Sequence, residues 1–234
     1  MKRIILTLLL LLAFPAIVKG QPVHSTVTTQ SGTASSCSFS VTSAGTNPLM
    51  VAVIHLASGS GAGTVTDADF NGAALTFKVE GASDSNITRT EIWRRYAPAA
   101  STATFTANFS SSVIYSCEVY IATNAHQSAA DGNTASIGSS GTTMSQAVAS
   151  ATTEIVYGAF SSHLGSACTP NSGDERYDAN VESYQFCDST QTGAATTTPS
   201  FDVDNSGGFW GAAVAAFKEP AAGGGSGSRR FISD

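Results

Sequence analysis

Val113-Ile-Tyr115-Ser-Cys117-Glu-Val119-Tyr-Ile121 alternates between two characters: its odd positions are apolar and carry a cysteine. Side chains in an extended chain point alternately to opposite faces, so this nonapeptide reads as a strand with one face in a core. The same alternation occurs in Cys37-Ser-Phe39-Ser-Val41, which again puts a cysteine on the apolar face. Two core-facing strand cysteines can meet inside a sandwich.

Moving outward, strand patterns recur every 8 to 14 residues. They cover residues 24–29, 35–41, 49–56, 64–70, 74–79, 88–96, 102–109 and 113–122, then 142–149, 154–160, 181–187, 194–201 and 208–218. A longer polar passage, 123–140, interrupts them. Asn71-Gly72 between two alternating runs is the signature of a type I′ hairpin turn. No segment sustains a 3.6-residue period, and Ser plus Thr outnumber the charged residues, a composition that suits strands and turns. The expected fold is all-β: an antiparallel two-sheet β-sandwich, jelly-roll-like.

The chain has 234 residues, enough for one domain with a sizeable core. Residues 1–20 have the layout of a signal peptide: Lys2 and Arg3, an apolar run from Ile4 to Val18, and Val18-Lys19-Gly20 before a cut at Gln21. That run is short of the roughly 20 residues a spanning helix needs. The expected domain is 21–219, followed by a Gly/Ser-rich linker and short tail at 220–234. No membrane insertion is expected after cleavage, and the location is secreted or cell surface. A net charge of −6 without a basic patch argues against nucleic acid.

Four cysteines in an exported chain imply two disulfides. Of the three possible pairings, the strand faces favour Cys37–Cys117, leaving Cys168–Cys187 to close a polar loop of about 20 residues.

The order Asn47-Pro48-Leu49-Met50-Val51-Ala52-Val53, Asp69-Phe70-Asn71-Gly72-Ala73-Ala74-Leu75-Thr76, Glu91-Ile92-Trp93-Arg94-Arg95-Tyr96-Ala97-Pro98 and Trp210-Gly211 through Phe217-Lys218 resembles a diffuse group of jelly-roll modules. These modules occur in bacterial exported proteins and phage structural proteins. The resemblance spans residues 35 to 218 and implies a fold. It is carried by strands and turns, so it implies no reaction and no site residues.

Chemistry-bearing patterns are sparse. Asp67-Ala-Asp69-Phe-Asn71-Gly72 opens like a calcium loop, but the twelfth position is Lys78 rather than a bidentate Glu, so the stretch reads as a hairpin. Asp202-Val-Asp204-Asn205 reads as a solvated turn. No C-x-x-C, H-x-H, H-E-x-x-H or G-x-S-x-G spacing occurs, so no metal, cofactor or catalytic residue is assigned. Trp93 and Arg95 share a strand face with Glu91 and are candidates for a ligand platform, or else for a core aromatic with a paired arginine. Tyr177 and Tyr184 could stack on a sugar, and Glu175 and Asp178 could act as a hydrolytic carboxylate pair.

The sequence therefore points first to a non-catalytic extracellular structural or adhesion protein, with self-assembly as its sharpest form. Gln21–Ser36, which has no charged residue, either donates a strand to a neighbour or completes its own sheet, and the tail after Pro220 is the other candidate donor. Surface glycans are the alternative partner, through a carbohydrate-binding module. A polysaccharide-cleaving enzyme is the third reading.

Overall fold

A computed structural model describes residues 23–127, 132, 134–163, 167–203 and 208–218. The expected signal segment, the tail at 220–234, and Asp204 with Asn205 lie outside these residues. The strands in chain order are β1 (Val23–Ser43), β2 (Leu49–Ala57), β3 (Val65–Phe70), β4 (Ala73–Ala74), β5 (Thr76–Ala82), β6 (Thr88–Tyr96), β7 (Ser101–Thr123), β8 (Thr134–Ser140), β9 (Thr143–Ser145), β10 (Val148–Ala149), β11 (Ile155–His163), β12 (Cys168–Ser172), β13 (Asp174–Val181), β14 (Tyr184–Thr192), β15 (Thr196–Thr197), β16 (Ser200–Val203) and β17 (Phe209–Phe217). There is no helix among the described residues, and every strand pairing is antiparallel.

Two large sheets form the body. The first runs β5-β6-β2-β7-β1, with β3 and β4 continuing from the Ser101 end of β7; the second runs β13-β14-β11-β17-β8. They stack face to face, with β5 and β6 over β8, β17 and β11, β2 over β11, and β7 and β1 towards β13. This is the expected antiparallel sandwich. The chain completes the first sheet with β1–β7 before it lays down the second, so the strands do not alternate between the two sheets.

The first sheet curls over itself because its longest ribbon is bent. β1 and β7 pair from Val23–Thr123 to Ser43–Ser101, but Ala34 lies opposite Val113 and Ser36 opposite Asn108. Four residues of β7, Phe109-Ser110-Ser111-Ser112, therefore bulge against one of β1, and a bulge increases local twist and bend. Cys37 sits on one arm of the bend and Cys117 on the other, and their disulfide ties the arms together across the interior. Around it pack Met50, Ile54, Phe70, Phe105, Phe109 and Val119. The opposite face of the same strands meets the second sheet through Val51, Val53, Ile92, Tyr120, Tyr157 and Phe217. β2 is thus buried on both faces along all nine residues, which explains why Leu49–Ala57 reads as a near-continuous apolar run.

The outer face of the second sheet is covered as well. A small sheet, β12-β16-β9, packs on it through Met144, Phe160, Phe201 and Trp210, and Cys168 of β12 is disulfide-bonded to Cys187 of β14. Both expected cysteine pairings are therefore present. The surface loop expected between Cys168 and Cys187 is instead β12, β13 and the start of β14. β13 escaped notice because it is an edge strand with a charged sequence, Asp174-Glu175-Arg176. β8 lies in the polar passage 123–140, where no strand was expected, for a similar reason: it is a polar edge strand.

Candidate functional site: a sealed polar network between the sheets

The layer between the two sheets is mostly apolar, and its ionisable side chains gather at one place. From β2 comes His55, from β6 Thr90, from β7 Ser116, Glu118 and Tyr120, and from β14 Asp188; none exposes more than 1% of its surface. The alternation of β7 dictates this placement. Cys117, Val119 and Ile121 point into the curl, so Ser116, Glu118 and Tyr120 must point at the second sheet. His55 follows from the register too, since it lies opposite Ser116 on one side and Thr90 on the other.

The bonds form two groups that meet where His55 approaches Glu118. His55 Nε2 donates to Asp188 Oδ1 at 2.9 Å, and His55 Nδ1 lies 2.9 Å from Thr90 Oγ1. Tyr120 OH donates to Asp188 Oδ2 at 2.6 Å. Ser116 Oγ donates to Glu118 Oε1 and lies 2.7 Å from Tyr177 OH. The second oxygen of Glu118, Oε2, is 3.5 Å from His55 Nε2 and has no hydrogen-bond partner among the described residues. Phe186 stacks on the imidazole with ring centroids 5.1 Å apart.

Burial, and after it the neighbouring Asp188 carboxylate, push the Glu118 carboxyl well above the usual range. Burial likewise raises Tyr120, and it pushes Tyr177 up to about 12, so both phenols stay protonated as donors. Asp188–His55–Thr90 has the hydrogen-bonding order of an acid–base–hydroxyl triad. Thr90 is wholly buried, however, and no substrate carbonyl can reach its hydroxyl.

The candidates from sequence fall in other places. Trp93 points into the curl, where its Nε1 donates to Glu91 Oε2 at 3.0 Å. Arg95 Nη1 donates to the carbonyls of Phe70 and Ala73 at 2.8 Å each, pinning the β3–β4 turn. Those contacts tether Arg95 and one edge of Trp93, whose half-buried ring meets the exposed Phe77 ring with centroids 5.4 Å apart. Tyr177 and Tyr184 both join the inter-sheet cluster with Phe186. Glu175 and Asp178 lie opposite Ser189 and Cys187 on the outer face of β13, so the tyrosines are not beside them. Burial raises both carboxyls, and Asp178 adds to the rise at Glu175; Asp178 also accepts from Gln185 Nε2 and from the Cys168 amide at 3.4 Å.

The calcium-like stretch is the hairpin it was read as. Asn71 and Gly72 have φ of 54° and 72°, and Asp69 Oδ1 accepts from the Gly72 amide at 3.0 Å. Asp67 Oδ1 accepts from Asn108 Nδ2 at 2.8 Å. Asp202 is held by Thr143 at 2.7 Å, a bond that lowers its carboxyl below the ordinary value.

Two groupings of metal-type side chains occur among the described residues. Cys168, Asp178 and Cys187 are one, but its two sulfurs are spent on each other. His55, Glu118 and Asp188 are the other. Sequence reading missed it because the three are 63 and 70 positions apart, with no spacing to recognise. One signal was present: each is a lone ionisable group on or beside an apolar strand run, and a buried charge must find a partner.

No family model, curated protein or solved structure matches this chain.

Proposed function

We propose that this chain is a non-catalytic extracellular structural or adhesion module that associates with copies of itself along the open edge of β1. The observation that carries the reading is the character of that edge. β1 runs for 21 residues without a Lys, Arg, Asp or Glu, and among the described residues it pairs only with β7. The edge stacked beside it, β13, carries Asp174, Glu175, Arg176 and Asp178. Charged side chains are a common means of blocking edge-to-edge pairing, and β1 has none of them. β1 also presents two exposed valines, Val23 and Val27.

This changes how assembly would work. Residues from Val23 onward are spent on β7 of their own chain, so this segment serves as the edge that receives a neighbour's strand rather than as a spare donor. The sealed state of the His55 network supports a non-catalytic role, and Tyr184, buried in the inter-sheet cluster, offers no open face to a sugar. Two disulfides are compatible with an oxidising, extracellular location, and the signal-like residues 1–20 support export to it.

The test is analytical ultracentrifugation of the disulfide-intact protein over a range of concentrations, beside a Val27→Lys/Ser31→Lys double variant. Oligomers in the parent and monomers in a variant with unchanged circular dichroism support the reading. A parent that stays monomeric at high concentration ends it.

A further inference from the structure

Three ligand-type atoms converge in the inter-sheet layer, and each belongs to a different strand. His55 Nε2 of β2 is 2.9 Å from Asp188 Oδ1 of β14 and 3.5 Å from Glu118 Oε2 of β7, and the three groups offer atoms that all lie within 4.8 Å of one another. Ligand atoms held about 2.0–2.2 Å from a tetrahedral zinc ion are separated by about 3.3 Å, so small adjustments bring all three into range.

The far side of each group is as informative. His55 Nδ1 lies 2.9 Å from the Thr90 hydroxyl, which accepts from Nδ1–H in the tautomer that frees Nε2, so that an ion replaces the Nε2 proton donated to Asp188 in its absence; Asp188 Oδ2 is held by the Tyr120 hydroxyl and Glu118 Oε1 by the Ser116 hydroxyl. Each side chain therefore has one atom fixed by a hydroxyl while its other atom faces the common point. Outer partners of this kind orient metal ligands in proteins. The Glu118 atom that faces the point is the one without a hydrogen-bond partner, in a side chain that is fully buried.

We propose that His55, Glu118 and Asp188 form a zinc site enclosed between the two sheets, with His55 Nε2, Glu118 Oε2 and Asp188 Oδ1 as its ligands. An imidazole with two carboxylates selects a first-row transition ion over calcium or magnesium. Charge balance agrees: two carboxylates neutralise a dication. The bound ion joins β2 and β7 of the first sheet to β14 of the second. Because the groups are sealed, the ion enters as the sheets close and not by exchange into the finished fold.

The experiment is oxidative refolding of the full chain with zinc or with EDTA, desalting, and metal quantification by mass spectrometry. The expected result is about one zinc per folded chain, a higher melting temperature for the zinc-refolded protein, and at least about tenfold less zinc in Glu118→Gln and Asp188→Asn. Asp202→Asn, at a surface carboxylate, should keep its zinc. X-ray absorption on the wild type, which needs no variant to fold, should show a zinc shell of nitrogen and oxygen without sulfur. Wild type that refolds with native circular dichroism but retains less than about 0.1 zinc per chain overturns the proposal. So does zinc retained in full by both ligand variants, or a shell containing sulfur.

Discussion

Asp188 Oδ1 accepts a 2.9 Å hydrogen bond from His55 Nε2 across the sandwich, although the two residues are 133 positions apart in the chain. Asp188 also accepts from Tyr120, so one carboxylate satisfies groups from two strands of the opposite sheet. Removing one member of such a buried set strands the others. Asp188→Ala should destabilise the protein by about 3–5 kcal/mol in urea titrations. Asp202→Ala, at an exposed carboxylate, should cost far less. Equal losses would mean that the inter-sheet network contributes nothing special.

The two disulfides close chain segments of different length. Cys37–Cys117 spans 80 positions and Cys168–Cys187 spans 19. The chain-entropy relation assigns them about 4.5 and about 3 kcal/mol. Cys37→Ala/Cys117→Ala should therefore lower the denaturation midpoint more than Cys168→Ala/Cys187→Ala. The reverse order, measured at equal pH and ionic strength, would show that local packing outweighs loop length.

Glycine matters at two positions for different reasons. At Gly81 the sheets approach so closely that a β-carbon would lie 1.9 Å from the Ala212 carbonyl oxygen. Backbone cannot move aside cheaply there, so Gly81→Ala should cost about 3 kcal/mol or more. Gly72 has open space around it but sits at φ +72°, in the hairpin turn. Gly72→Ala should cost only about 1–2 kcal/mol, the penalty of a left-handed conformation. Thermal melts of the two variants would rank them.

His24 lines a small cleft with Glu154, Asp174, Arg176 and Thr190, and its ring lies 5.2 Å from that of Tyr120. Burial first, and then the Arg176 charge, lower its pKa to about 4. The unfolded chain therefore binds this proton more readily than the folded one. The contribution of His24 to stability is complete above about pH 6.5 and is lost as the pH falls towards 4. His24→Gln should flatten the stability profile between those values. An unchanged slope from pH 4 to 7 would assign the acid loss to other groups.

Much of the architecture is legible along the chain because strands with one buried face must alternate. The runs at 88–96 and 113–122 reappear as β6 and the second half of β7, and the Asn71-Gly72 turn is where its dihedral demands put it. The break read at Ser110–Ser112 is the bulge that bends β7, so even a strand boundary that vanished marked a real irregularity. β8 and β13 were not legible: an edge strand buries little, and pairing with one neighbour leaves no apolar imprint.

By itself the sequence determined the all-β class and the faces on which Cys37 and Cys117 sit, because both follow from a period of two within a single strand. What only the tertiary structure decided is which strand faces which. The register of β2 between β6 and β7, and the stacking of β14 beneath them, bring His55, Glu118 and Asp188 to one point. No local pattern encodes that meeting, because the three groups are joined by sheet register and inter-sheet packing, both of which are long-range.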